Sequence, residues 1–105
     1  MGREEQIIND KLDRNLVKIK SKVIKILKKY KIKKAGIFGS SVRRDFNEKS
    51  DIDIIIQPPK DMGLEFVKMS FELEKVLGRR VDIVTYKYLS PYLKKSILEE
   101  EIRIL

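Results

Sequence analysis

The sequence predicts an α/β domain in which helices flank a small mixed sheet. Three observations carry this: a long N-terminal stretch with apolar residues at helical spacing, short β-branched runs after it, and a second helical stretch between two of those runs. At 105 residues the chain is close to the commonest size of one domain, so residues 1–105 are expected to form a single unit.

The elements follow in order. Leu12, Leu16, Ile19, Val23, Ile26 and Tyr30 recur every three or four residues, with lysines on the other faces. This predicts one long helix, or two with a break near Lys20 or Ser21. Residues 1–21 would then be a helical extension of a core spanning 22–105. "KAGIFG" reads as a short strand ending at Gly39, and residues 40–50 as a loop with one helical turn. "DIDIIIQ" is a second strand, stopped by Pro58-Pro59. "DMGLEFVKMSFELEKVLG" is a helix with Asp61 as N-cap and Gly78 as its C-terminal stop, and with Phe66, Phe71 and Leu73 facing the core. "RRVDIVTY" is a third strand. "SPYLKKSILEE" is a helix that starts with Ser90 as N-cap and Pro91 at its first position, and "EIRIL" is a short edge strand.

Composition removes several chemistries. The chain has no cysteine and no histidine, which excludes disulfides, Cys/His zinc sites, Cys nucleophiles and His general bases. Acid–base or metal chemistry must fall to carboxylates, Lys, Tyr or Ser. No apolar stretch is long enough to span a membrane and "MGREEQIIND" is too polar for a signal peptide, so a cytoplasmic location is expected. The Lys/Glu/Ile-heavy usage suits a hot-growing source. The net charge is +8, and from Lys18 to Arg44 every charged residue is basic. Such a block attracts phosphates or an acidic protein face, or is simply a solvated helix face.

A strand gains from burying apolar surface and loses by burying unpaired carboxylates. Asp51 and Asp53, at the mouth of an isoleucine run, therefore call for a compensating partner. Alternation sends Ile52, Ile54 and Ile56 to one face and the two aspartates to the other, toward a cleft. Asp82 sits opposite Val81 and Ile83 in the third strand. If the two strands are neighbours in register, three carboxylates converge. Their mutual repulsion then asks for a cation, and Mg²⁺ prefers oxygen ligands of this kind. Two such ions about 4 Å apart serve phosphoryl and nucleotidyl transfer. Gly39 lets backbone approach phosphates closely, Ser40 donates from hydroxyl and N–H, and Arg43 is near enough to bind a phosphate oxygen. Plainer readings exist for each. The aspartates could cap turns or pair with lysines and arginines, Ser40 could cap a turn, and Arg43 could be solvated. Tyr86, Tyr88 and Tyr92 could form a partner surface or stack on adenine, with packing as the plainer reading.

"GIFGSSVRRDFNEKSDIDIII" resembles the signature of the minimal nucleotidyltransferases, small relatives of the DNA polymerase β superfamily, in which Gly-Ser is followed by Arg-Gly and Ser-Asp-x-Asp. "GRRVDIVTYKYLSPYLKKSILEE" is similar to the later segment that carries the third aspartate, and the likeness covers roughly residues 22–105. The resemblance implies a nucleotidyltransferase fold with Asp51 and Asp53 as ligands of two Mg²⁺ ions. It implies Asp82 as the third carboxylate, holding the catalytic metal and helping to activate the acceptor hydroxyl. Gly39 and Ser40 would hold the β- and γ-phosphates of ATP, with Arg43 in support. Arg44 stands where the family usually has glycine. It is either strained, if φ there must be positive, or an added phosphate-binding charge.

The resemblance further implies a HEPN-domain toxin as partner, in a type VII toxin–antitoxin pair, and transfer of AMP to a toxin tyrosine. The added phosphodiester would bring charge and bulk beside the toxin's RNA site. Without a separate acceptor-recognition domain, the acceptor is expected to be held by, or to be, another chain. Two other readings stand beside this one. The fold could block the toxin by contact without chemistry, or the lysine-rich helix could bind RNA with a steep salt dependence, which leaves the aspartates unexplained.

Overall fold

A single helix, α1 (Arg3–Lys29), runs through Lys20 and Ser21 without a break. It belongs to a computed structural model that describes residues 3–42 and 49–105, with side chains from residue 16 onward apart from that of residue 40. The predicted stripe is its buried face: Val23 is fully enclosed, Ile19 and Ile26 nearly so, and Leu16 and Tyr30 pack at the margin. Leu27 joins them fully buried, and Leu12 lies outside the residues whose side chains are described. The helix ends in a Schellman motif, with Ile32 N–H bonded to Leu27 O at 2.9 Å and Lys31 N–H to Lys28 O at 3.0 Å. The left-handed residue of that motif is Lys31, at φ 63°, where glycine is usual.

Four strands make one sheet: β1 (Lys34–Phe38), β2 (Ile52–Gln57), β3 (Val81–Thr85) and β4 (Ile102–Arg103), in the order β3-β2-β1-β4. β1 pairs antiparallel with both β2 and β4, while β2 and β3 are parallel. The parallel pair needs a crossover, and α2 (Glu65–Leu77) supplies it. α3 (Pro91–Glu100) precedes β4, and 3-10 turns at Gly39–Val42 and Tyr86–Tyr88 follow β1 and β3. This is the mixed sheet flanked by helices that the sequence predicts. No helix among the described residues is long and apolar enough to cross a membrane.

The core lies on one face of the sheet. Ala35, Ile37, Ile52, Ile54 and Ile56 are fully buried there in one cluster with Val23 and Leu27 of α1 and Met69 and Leu73 of α2. Each such isoleucine contributes about 2 kcal/mol through burial. At the helix pair's rim Lys29 Nζ meets Glu72 Oε1 at 2.5 Å. That hydrogen bond holds the Glu72 carboxyl below its usual range and the Lys29 ammonium above its own.

The opposite face departs from the expectation of an open aspartate surface. Ile55 shares it with Asp53 and is fully buried, between Gly36 on β1 and Val84 on β3. The cover crosses at Gly36, where an added Cβ would stand 2.5 Å from Glu101 Cγ. Tyr86 donates its phenol proton to Glu101 Oε1 at 2.8 Å, which ties the turn after β3 to the start of β4. Burial, and then this bond to a carboxylate, push the Tyr86 phenol up from its ordinary value.

Ser90 Oγ accepts from Leu93 N–H at 3.3 Å, and Gly78 closes α2 in the left-handed region, both as the sequence predicts. Asp61 does not cap α2. Residues 59–63 turn on themselves, with Gly63 N–H bonded to Asp61 O, and the helix starts four residues later with Leu64 in the cap position. Phe71 is not core but 66% exposed. The buried positions are 69 and 73, and a residue midway between them points about 200° away. Tyr88 and Tyr92 are also solvent-facing rather than packed.

Ile54→Ala should cost about 2–5 kcal/mol in urea unfolding, whereas Lys31→Gly should add about 1 kcal/mol by relieving a left-handed side-chain residue. Because the Glu72 carboxyl is held low in the folded chain, its contribution is present at neutral pH and lost as pH falls through that lowered value. The melting temperatures of the wild type and Glu72→Gln should therefore differ at pH 7 and converge as the pH falls below the usual carboxylate range.

Candidate active site

Parallel strands start at the same end of a sheet, and here the second residue of each is an aspartate. Asp53 of β2 and Asp82 of β3 are directly paired, flanked by the apolar pairs Ile52–Val81 and Ile54–Ile83. They therefore share a face, half-exposed, and Asp51 stands half-exposed at the same end just before β2. The register the sequence reading required is present.

β1 delivers a third component to this end. Phe38 pairs with Asp53, so the turn that follows β1 opens directly beside the carboxylate. Gly39 has φ 63°, and a Cβ there would run into Asp53 Oδ2 and lie 3.2 Å from its Cγ. Conformation and space both require glycine. Ser41, two residues on, is buried, and its hydroxyl accepts the backbone N–H of Asp53 at 3.0 Å. The sequence reading passed over Ser41 in favour of its neighbour; the doubled serine after Gly39 was the available signal. Ser40 lies in the 3-10 turn with its side chain outside the described residues. Arg43 and Arg44 lie wholly outside them.

On the other side Arg80 and Arg79 frame the aspartates. Arg80 Nε stands 3.5 Å from Asp82 Oδ1, so the ion pair weighed for Asp82 is present. Arg79 Nη1 donates to Ser50 O at 3.1 Å and Ile52 N–H to Arg80 O at 3.0 Å, which stitches the approach to Asp51 onto the approach to β3. The donor set consists of hard carboxylate oxygens, which suits Mg²⁺. Among the described residues no three acidic side chains are yet gathered closely enough to hold a metal. The strand pairing brings two together, and Asp51 shares their end of the sheet.

The nucleotidyltransferase domain family matches residues 20–104. The chain belongs to this family. The new member is 44% identical over 92 residues to a Methanocaldococcus jannaschii protein named as a candidate protein adenylyltransferase, with 87% of this chain and 99% of that one aligned. It is 32% identical to the protein adenylyltransferase MntA of Thermococcus cleftensis, over 72% of this chain and 78% of the relative. A solved structure described as a candidate minimal nucleotidyltransferase superposes with a TM-score of 0.71 at 28% identity, covering 87% of this chain and 93% of the other. The same fold appears in the complex of a tri-AMPylated Shewanella oneidensis HEPN toxin with its MNT antitoxin. There the TM-score is 0.68 at 20% identity, covering 86% of this chain and 71% of that one. The nucleotidyltransferase fold is thus established for this sequence.

Gly39→Ala should cost at least about 1–2 kcal/mol from the left-handed backbone alone and should displace the Asp53 carboxylate. Ser41→Ala should cost about 1–3 kcal/mol because it removes the hydroxyl that accepts the Asp53 N–H. Chemical denaturation reads both.

Proposed function

We propose that this nucleotidyltransferase transfers AMP from ATP to a tyrosine hydroxyl of a partner HEPN-domain toxin and so acts as its antitoxin, in a type VII pair. The observation that supports this best is the pairing of Asp53 with Asp82 beside the glycine turn at Gly39. The relatives named protein adenylyltransferases and the AMPylated toxin complex point the same way. Residues 22–105 form the catalytic core and 1–21 a helical extension, acting in the cytoplasm.

In the reaction the tyrosine oxygen forms a bond to the α-phosphorus of ATP. The bond between that phosphorus and the α–β bridging oxygen breaks, diphosphate leaves and the phenol loses its proton. Asp51 and Asp53 would bind two Mg²⁺ ions, with Asp82 as a third ligand. When bound there, such ions would supply charge that neutralises the triphosphate and favours the ionised acceptor. Asp82 lies where it can help take the acceptor proton. The backbone at Gly39 and Ser40 holds the β- and γ-phosphates, since a residue without a side chain allows close approach, and Arg43 adds a charge. Ser41 keeps this turn against β2.

Purified protein, labelled ATP, Mg²⁺ and the product of the adjacent gene should give a partner mass gain of one or more AMP units. Asp53→Asn should lower the rate about 100-fold or more. If Asp51→Asn/Asp53→Asn/Asp82→Asn still neutralises the toxin fully, blocking by contact is the correct account.

A further inference from the structure

The opposite end of the sheet carries a second concave site of reversed charge. A cleft of about 830 Å³ opens where β2 and β3 finish, at Gln57, Pro58 and Thr85. Gln57 is four residues along β2 from Asp53, so the cleft lies about 13 Å from the aspartates. Lys31 and Lys33 enter it from the end of α1, Lys60 from beyond β2, Lys87 from the turn after β3 and Lys94 from α3. Four separate segments thus contribute lysines to the lining of one space, and among the described residues no carboxylate lines it.

The aromatic side chains at this cleft narrow the chemistry. Tyr86 forms part of its wall, with Lys34 Nζ 4.4 Å from the ring centroid and its phenol committed to Glu101. Tyr88 also lines it and is 81% exposed, with Lys87 Nζ 5.6 Å from the ring centroid. An exposed ring set among cations, as Tyr88 is, is what an unstacked base and its phosphates require. An acidic peptide has no use for the rings, and a duplex keeps its bases stacked. Lys31 supplies an independent sign. It holds the left-handed position of the Schellman motif against local preference, and its side chain is one of the five cationic groups. Local rules are broken most often where function compensates.

We propose that this cleft binds single-stranded nucleic acid, with phosphates on the lysines and a base stacked on Tyr88. It is separate from the AMP-transfer site and does not depend on that activity.

The test is fluorescence anisotropy of the full chain with a labelled 12-nucleotide oligouridylate and its deoxy counterpart, in EDTA so that the aspartate end does not contribute. Binding should weaken about 100-fold between 50 and 200 mM salt if all five lysines meet phosphates. Lys33→Glu/Lys94→Glu should abolish most of it, and Tyr88→Ala should cost about tenfold. Lys18→Glu/Lys25→Glu, exposed on α1, should bind as the wild type does. Lys31→Gly should bind several-fold more weakly while melting higher, which separates lost affinity from lost folding. A preference for the ribo or the deoxy strand identifies the natural source. The proposal fails if the α1 reversals weaken binding as much as the cleft reversals, if Tyr88→Ala changes nothing, or if AMP alone binds as tightly as the oligonucleotide.

Discussion

The arrangement rests on the parallel pairing of β2 with β3 in a single register. Burial of Ile52, Ile54 and Ile56 against α1 and α2 fixes which way β2 faces, and the α2 crossover fixes the direction of β3. A slip of one residue would move Ile52, Ile54 and Ile56 to the face that Asp53 and Ile55 occupy and would drive Asp53 into the core, an exchange costing several kcal/mol. The hydrophobic core on one face therefore sets the position of the carboxylates on the other. Local hydrogen bonds at the aspartate end, from Arg79 to Ser50 and from Asp53 to Ser41, refine a placement that packing has already decided.

Much of this was legible in the sequence because the signals were periodic or positional. The α1 stripe, the proline stop after β2, the Ser90–Pro91 start and the Gly78 end each express one local rule, and each holds. The aspartates could be assigned to a face by alternation, although their pairing needed the fold. The misses share a cause: nearby residues were read without the competing geometry. Asp61 has the right chemistry for a cap, but the turn from residue 59 to 63 uses its carbonyl instead. Phe71 is apolar but lies on the wrong side of the helix from Met69 and Leu73. The aspartate face was expected to be open, but Ile55 is buried on it, and Glu101 lies over its strand partner Gly36, a tertiary contact that no local pattern encodes. Ser41 was overlooked because its role is to satisfy a backbone N–H on another strand.

Charge is distributed unevenly along the strands. At the amino ends of β2 and β3 the carboxylates of Asp53 and Asp82 are framed by Arg79 and Arg80, whereas at the carboxyl ends five lysines line one cleft, with the Glu101–Tyr86 contact crossing the sheet between them. The overall charge of +8 conceals this, because most lysines lie along α1 and around the far cleft. Anions approaching the protein are drawn first to the basic surfaces. In the proposed reaction the aspartate end would take a triphosphate together with divalent cations.

The hydrogen bond from the Asp53 amide to the Ser41 hydroxyl joins two pieces of chain that would otherwise be independent levers. In the proposed reaction the Gly39 turn would hold phosphate while β2 presents Asp53, and this bond ties the turn to the strand. A nucleotide seated on the turn would then bear on the strand that carries the aspartate, so loading of substrate and alignment of the acidic group would be coupled.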